Sequence, residues 1–197
     1  MLPNEAEKLD PRVRRTRQMI EQAFTEQVKE KGFQNLSVQD ITGRAGINRA
    51  TFYAHFPDKF SLLDHTIRQD FRQEIDKRML NACHFTQDNL RILIMTVCEF
   101  VDGAHGHCAK TEQQFQALVE VQVRGQIHEL LQHWLEGMDI NENFPAARER
   151  AATAASWAIY GLATEWSRAK RMPPLEMYAD EVLPLVAANF GQSLEIV

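Results

Sequence analysis

Apolar side chains recur at steps of three and four residues along most of this chain, and strand-like alternation is absent, so the pattern predicts an all-α protein. Residues 11–31 open on Pro11, place Val13, Ile20, Phe24 and Val28 at helical spacing, and stop at Gly32. Residues 37–59, SVQDITGRAGINRATFYAHFPDK, read as two short helices around a Gly46 turn. A longer helix over 57–80 carries Phe60, Leu63, Ile67, Phe71 and Ile75. After a loop at 81–88, apolar helices follow over 89–103, about 111–137 and 145–170. Pro173 and Pro174 break the chain before a last helix over 175–190, in which Pro184 predicts a kink or a division. This organisation predicts a three-helix N-terminal domain over 1–56 and a larger helical domain over 57–197.

The two short helices carry the sharpest chemistry. Ser37 and Asp40 form the S-x-x-D pattern of a capped helix start, and Asn48 suits the cap of the next helix. Phe52 and Phe56 lie four residues apart and can pack inward beside Ile41 and Ala45. Arg49 and Tyr53 share an adjacent stripe, next to the small Ala50 and Ala54. Small residues let a helix approach base edges, Arg bonds guanine or phosphate, and Tyr and His suit phosphate oxygens. Helices this short cannot bury a core alone; a major groove is the reason to display them.

The run GINRATFYAHFPDK resembles the signature of the TetR (tetracycline-repressor-like) regulators, matching it at Gly46, Ile47, Arg49, Ala50, Thr51, Phe52, Tyr53, His55, Phe56 and Lys59. The resemblance implies an N-terminal helix-turn-helix DNA-binding domain followed by a helical ligand-binding and dimerisation domain. It implies that Arg49 and Thr51 read bases, that Ala50 permits close approach, that Asn48 caps the reading helix, and that Ser37, Tyr53, His55 and Lys59 anchor phosphates. It further implies a homodimer on a palindromic double-stranded operator, repression relieved by a small-molecule effector, and a fourth helix that links the two domains. Asn48 stands where the family has Ser or Thr, Phe60 where it commonly has Glu, and Gly43 costs its helix about 1 kcal/mol relative to Ala.

Charge changes the picture locally. Residues 1–60 carry +2 and residues 61–197 carry −7, within a net −5 over 197 residues, so overall acidity does not exclude DNA. Arg12, Arg14, Arg15 and Arg17 cluster at the start of the first helix and read either as a solvated basic turn or as phosphate contacts. Three cysteines, an odd number, point to reduced thiols and a cytoplasmic home. The polar Met1–Asp10 segment predicts no signal peptide, and Ala151–Thr164 is too short to span a bilayer. G-x-S-x-G, P-loop, H-E-x-x-H and E-x-x-H patterns are all missing, so no enzymatic activity, cofactor or metal is expected.

Three features of the larger domain bear on function. The stretch AATAASWAIYGLATEW mixes small and aromatic residues, and its resemblance to a family dimer helix assigns Ala155, Ala158, Gly161, Leu162 and Trp166, with Val182 and Val186 of the last helix, to the interface. Phe100, Phe115, Trp134 and Trp157 are candidates for an effector pocket, with Trp166 as a further aromatic; packing in the core is the other reading. Cys98, His105, His107 and Cys108, with Cys83 and His84 upstream, are metal-capable but match no zinc spacing, so a metal or thiol sensor is the alternative regulator reading. His128 and His133, five apart, read as surface residues, and a dimeric helical scaffold without sequence-specific DNA binding is the remaining rival.

Overall fold

The computed structural model describes residues 10–79, 84–107, 113–136 and 145–190, among which it contains eight α-helices and no strand. They are α1 (Pro11–Lys31), α2 (Val38–Ala45), α3 (Arg49–Tyr53), α4 (Lys59–Met79), α5 (Gln87–His107), α6 (Gln113–Glu136), α7 (Pro145–Arg168) and α8 (Leu175–Ala187). The chain divides into two compact units, Met1–Thr66 and Ile67–Val197. The division falls inside α4, ten residues beyond the 56/57 boundary read from the sequence. The first turns of α4 belong to the head because Leu62 and Leu63 are buried and His65 bonds Glu21 of α1 at 2.9 Å.

Local chemistry sets each helix end of the head. Asp10 caps α1 by accepting from the Arg12 amide at 2.8 Å, and Gly32 ends it at φ 74°. Ser37 and Asp40 form a reciprocal capping box on α2, the Ser37 amide donating to Asp40 Oδ2 at 2.9 Å. Gly46 closes α2 at φ 67°, ψ 31°, a left-handed backbone that glycine adopts without steric cost. Asn48 caps α3, accepting from the Thr51 amide at 2.7 Å. Ile20, Phe24, Phe33, Leu36, Ile41, Phe52 and Phe56 make the head's core. Arg44 of α2 clamps α1, donating through Nε to Glu26 at 2.7 Å and through Nη2 to Glu30 at 2.8 Å.

In the second unit, α5, α6, α7 and α8 pack around Leu93, Ile94, Val97, Ile127, Leu131, Trp134, Ile159 and Val182. Ala152, Ala155 and Ala163 are buried along α7, which packs on α5 and α6; small side chains permit that close approach. Helix α5 starts two residues earlier than its sequence pattern implies, because the Thr86 hydroxyl accepts from the Asn89 amide at 3.0 Å and caps it. It also continues past 103, where its sequence pattern ends, to His107. Pro184 does not divide α8; its ring sits on the exposed side of the helix. Between α7 and α8, Lys170 and Arg171 both take positive φ (58° and 64°). The turn is held by Trp166 Nε1 donating to the Pro173 carbonyl and by Tyr178 donating to the Leu162 carbonyl, both at 2.9 Å.

Candidate nucleic-acid interface

Helix α3 is five residues long and turns one face inward through Phe52, which is fully buried. Its other face presents Arg49, Ala50 and Ala54 to solvent, together with Tyr53, whose side chain is 51% exposed and meets Phe52 edge-on at 5.5 Å. Arg49 has no side-chain partner among the described residues, so its five N–H donors are available to an external acceptor. Asn48 and Thr51 are less available: the Thr51 hydroxyl donates to Asn48 Oδ1 at 3.0 Å, within the cap. His55 follows α3 half-buried, and burial first, then the positive charge of Arg17, depresses its pKa below the usual imidazole value.

Two of the expected phosphate anchors are engaged inside the head. Ser37 is exposed, but its hydroxyl both donates to the Asp40 carboxylate and accepts from the Asp40 amide. Lys59 differs more sharply from expectation. Its Nζ donates to the carbonyls of Leu36, Phe33 and Gln34 at 2.8, 3.0 and 3.2 Å and sits 4.6 Å from the Phe33 ring centre. An ammonium has three donors, and in this structure all three are engaged by carbonyls of the α1–α2 connection, so Lys59 shapes the head. Sequence spacing could not reveal this, because the carbonyls lie 23–26 residues away.

The sequence pattern described as bacterial regulatory proteins, tetR family, matches residues 22–66, the stretch from mid-α1 through α3 into α4. Over that stretch the chain is similar to the tetR family. The chain is also 38% identical over 79 residues to an uncharacterised HTH-type transcriptional regulator, YxbF, of Bacillus subtilis; the match covers 38% of this chain and spans about a fifth (21%) of that relative's length. Across the fold, it is similar to the fatty acid degradation regulator FadR from Bacillus halodurans, with TM-score 0.56 and 19% identity over 92% of this chain and 97% of that one. A second fold likeness is to FadR from Bacillus subtilis in complex with stearoyl-CoA, with TM-score 0.55 and 17% identity over 87% of this chain and 98% of that one. The fold likeness extends along most of the chain, whereas the family match lies in residues 22–66.

The second unit distributes the remaining candidates between core and surface. Ala155, Trp166, Val182 and Val186 are buried within one chain, where they pack the helices of the body together. Within one chain, the small-residue stripe of α7 packs against α5 and α6. Ala158 and Leu162 are half-buried and Gly161 is exposed. The surface stripe of α7 is Ala154, Trp157 and Gly161, and on α8 Leu185 is 64% exposed. Trp157 is 50% exposed and stacks with Arg124, whose guanidinium carbon lies 3.9 Å from a ring centre.

Phe100 is half-buried and meets Phe71 edge-on at 5.0 Å, and Phe115 is buried. Trp134 is fully buried and meets Phe85 at 6.1 Å, and Phe85 meets Phe190 at 4.7 Å. The Trp134 indole N–H has no hydrogen-bond partner among the described residues. Cys98 is buried in mid-α5 and burial pushes its thiol up to about 12, so it carries no thiolate at neutral pH. Cys83, Cys108 and the side chains of His105 and His107 lie outside the described residues, and His84 is exposed. Among the described residues, no three His, Cys, Asp or Glu side chains are placed to hold a metal, and no helix is long and apolar enough to cross a membrane. His133 is exposed, whereas His128 is half-buried with its Nε2 3.3 Å from the Thr153 hydroxyl.

Proposed function

We propose that this chain is a tetR-family repressor that binds a palindromic DNA operator as a homodimer and is released by a small-molecule effector. The observation that carries the reading is α3, which exposes the unpartnered Arg49 and the Tyr53 hydroxyl beside two alanines, over a head whose other face is packed. Arg49 reads base edges in the major groove, Ala50 and Ala54 let the helix come close, and Tyr53 and His55 bond phosphate oxygens. Asn48 and Thr51 hold the start of α3, and Ser37 and Lys59 hold α2 and its approach.

The homodimer is supported by the exposed Ala154–Trp157–Gly161 stripe and Leu185, an apolar face of the kind that a second copy covers. An effector in the body is supported by the unpartnered Trp134 N–H, since a buried donor gains from an acceptor brought by a ligand. Release then follows from differential affinity: an effector that binds best to a conformation with mismatched heads shifts the population toward it. A thiol sensor at Cys98 is disfavoured by that thiol's burial and raised pKa.

Selection of bound sequences from random duplex DNA tests the reading. The expected result is a palindrome with half-site centres about 34–36 Å apart or a multiple of that. Arg49→Ala should weaken binding and relax preference at one base position, while Tyr53→Phe should weaken all sequences alike. Absence of any enriched sequence, from protein refolded to strip bound ligand, would sink the operator and leave the scaffold reading standing.

A further inference from the structure

The positive side chains of the head fall into two groups. Lys31 pairs with Asp40 at 2.7 Å, Arg44 with Glu26 and Glu30, and Lys59 with three carbonyls, so these charges are satisfied internally. Arg17 is different. It occupies the core-facing stripe of α1, between Val13 and Ile20 in the run Val13–Arg17–Ile20–Phe24, where amphipathic spacing calls for an apolar residue. It is half-buried, and its guanidinium carbon lies 5.1 Å from the ring centre of Phe56. Glu21, one turn further along α1 and the natural i,i+4 partner, bonds His65 instead. No carboxylate pairs with Arg17 among the described residues.

A guanidinium drawn halfway out of water without a counter-ion is unfavourable unless something compensates for it. Stacking on Phe56 covers one face of the plane and fixes its direction, but it satisfies none of the edge N–H donors. Phe56 and His55 follow α3 directly, and Arg17 is close enough to His55 for its charge to act on the imidazole. A cationic donor and an imidazole thus stand near one another at the end of the helix that displays Arg49 and Tyr53. We infer that Arg17 and His55 together form a backbone-phosphate site, with the Phe56-braced guanidinium supplying its charge to a DNA phosphodiester. The inference rests on the DNA-binding reading above and adds to it a contact made from α1, outside the helix-turn-helix itself.

The test measures operator affinity against salt for the full-length protein and for Arg17→Met, Arg17→Lys and, as a control for a charge already paired, Lys31→Gln. Arg17→Met keeps an apolar cover on Phe56 and removes only the charge. It should lower the slope of log K against log salt by about 0.9 for each phosphate it no longer neutralises, weaken every sequence alike, and leave the thermal midpoint of the free protein nearly unchanged. Arg17→Lys should restore part of the slope, and Lys31→Gln should leave it as in the wild type. If Arg17→Met binds with wild-type slope and affinity, or if it weakens binding only in proportion to the fall in folded protein, the phosphate role is wrong while the operator reading survives. A wild type that binds no duplex DNA even at low salt would overturn both.

Discussion

The ammonium of Lys59, at the first position of α4, donates to the carbonyl of Leu36 at 2.8 Å, just ahead of the cap of α2. With its bonds to Phe33 and Gln34, it satisfies a connection whose carbonyls have no helical partner. Lys59→Met should therefore cost about 2 kcal/mol of stability through the lost charge-assisted hydrogen bonds. Its DNA binding should fall only as far as the folded fraction falls, with the salt slope intact. A drop in slope without a drop in the denaturant midpoint would return Lys59 to the phosphate backbone.

Asp40 gives the head an acid dependence. Hydrogen bonds from Lys31, then from the side chain and amide of Ser37, hold its carboxyl well below the usual carboxylate range. A group depressed in the folded state stabilises above its unfolded pKa, near 3.9, and loses that contribution as pH falls below it. Asp40→Asn should lower the thermal midpoint at pH 7, and the difference from wild type should shrink steadily below about pH 4. A difference that stays constant down to about pH 2.5 would exclude the carboxylate as its source.

His55 should titrate below about 6.5 in the free protein, because burial and then Arg17 disfavour its imidazolium. Its contribution to stability is complete above that pH and falls away as the pH is lowered through the folded value. In Arg17→Met, the imidazole resonances followed by NMR should move to a higher titration midpoint. An unmoved midpoint would show that Arg17 does not face His55 in solution.

Gly43 sits inside α2 with helical backbone, and a Cβ built there meets nothing within 4 Å. Gly43→Ala should stabilise the free protein by about 0.5–1 kcal/mol, mainly by restricting the unfolded chain. Urea titration reads this directly, and a destabilised variant would mean that α2 is not helical at this point.

Gly161 offers a clean test of the dimer face. Within one chain a Cβ at Gly161 also meets nothing within 4 Å, so Gly161→Leu should fold normally. On the exposed α7 stripe beside Trp157, the added bulk should block close helix approach by a second copy. Sedimentation should show a dimer for wild type and weakened association for the variant, with helical content unchanged. Equal association constants would move the interface elsewhere.

How much of this was legible in the sequence follows the range of the interactions involved. Helix ends set by neighbours a few residues away, such as the Ser37–Asp40 box, the Gly46 turn and the Asn48 cap, could be read from local chemistry. So could the inward pair Phe52 and Phe56, because α-helical periodicity fixes which side chains share a face. The exposure of Arg49 and Tyr53 follows from the same periodicity.

What the tertiary structure decided is which polar groups are already engaged. Lys59 and Arg49 look alike as basic residues in one signature, yet one commits its donors to carbonyls across the head and the other keeps them. Ala155 and Gly161 look alike as small residues on one helix, yet one is core and the other surface, because the periodic stripe does not say which neighbour it faces. Arg17 interrupts an apolar stripe in the sequence, and only folding brings the Phe56 ring beneath it. The sequence by itself determined the all-α elements, their caps and the exposed face of α3, since those depend on contacts within a few residues. Partnership among distant side chains depends on through-space distance, and that is settled only when the chain has closed on itself.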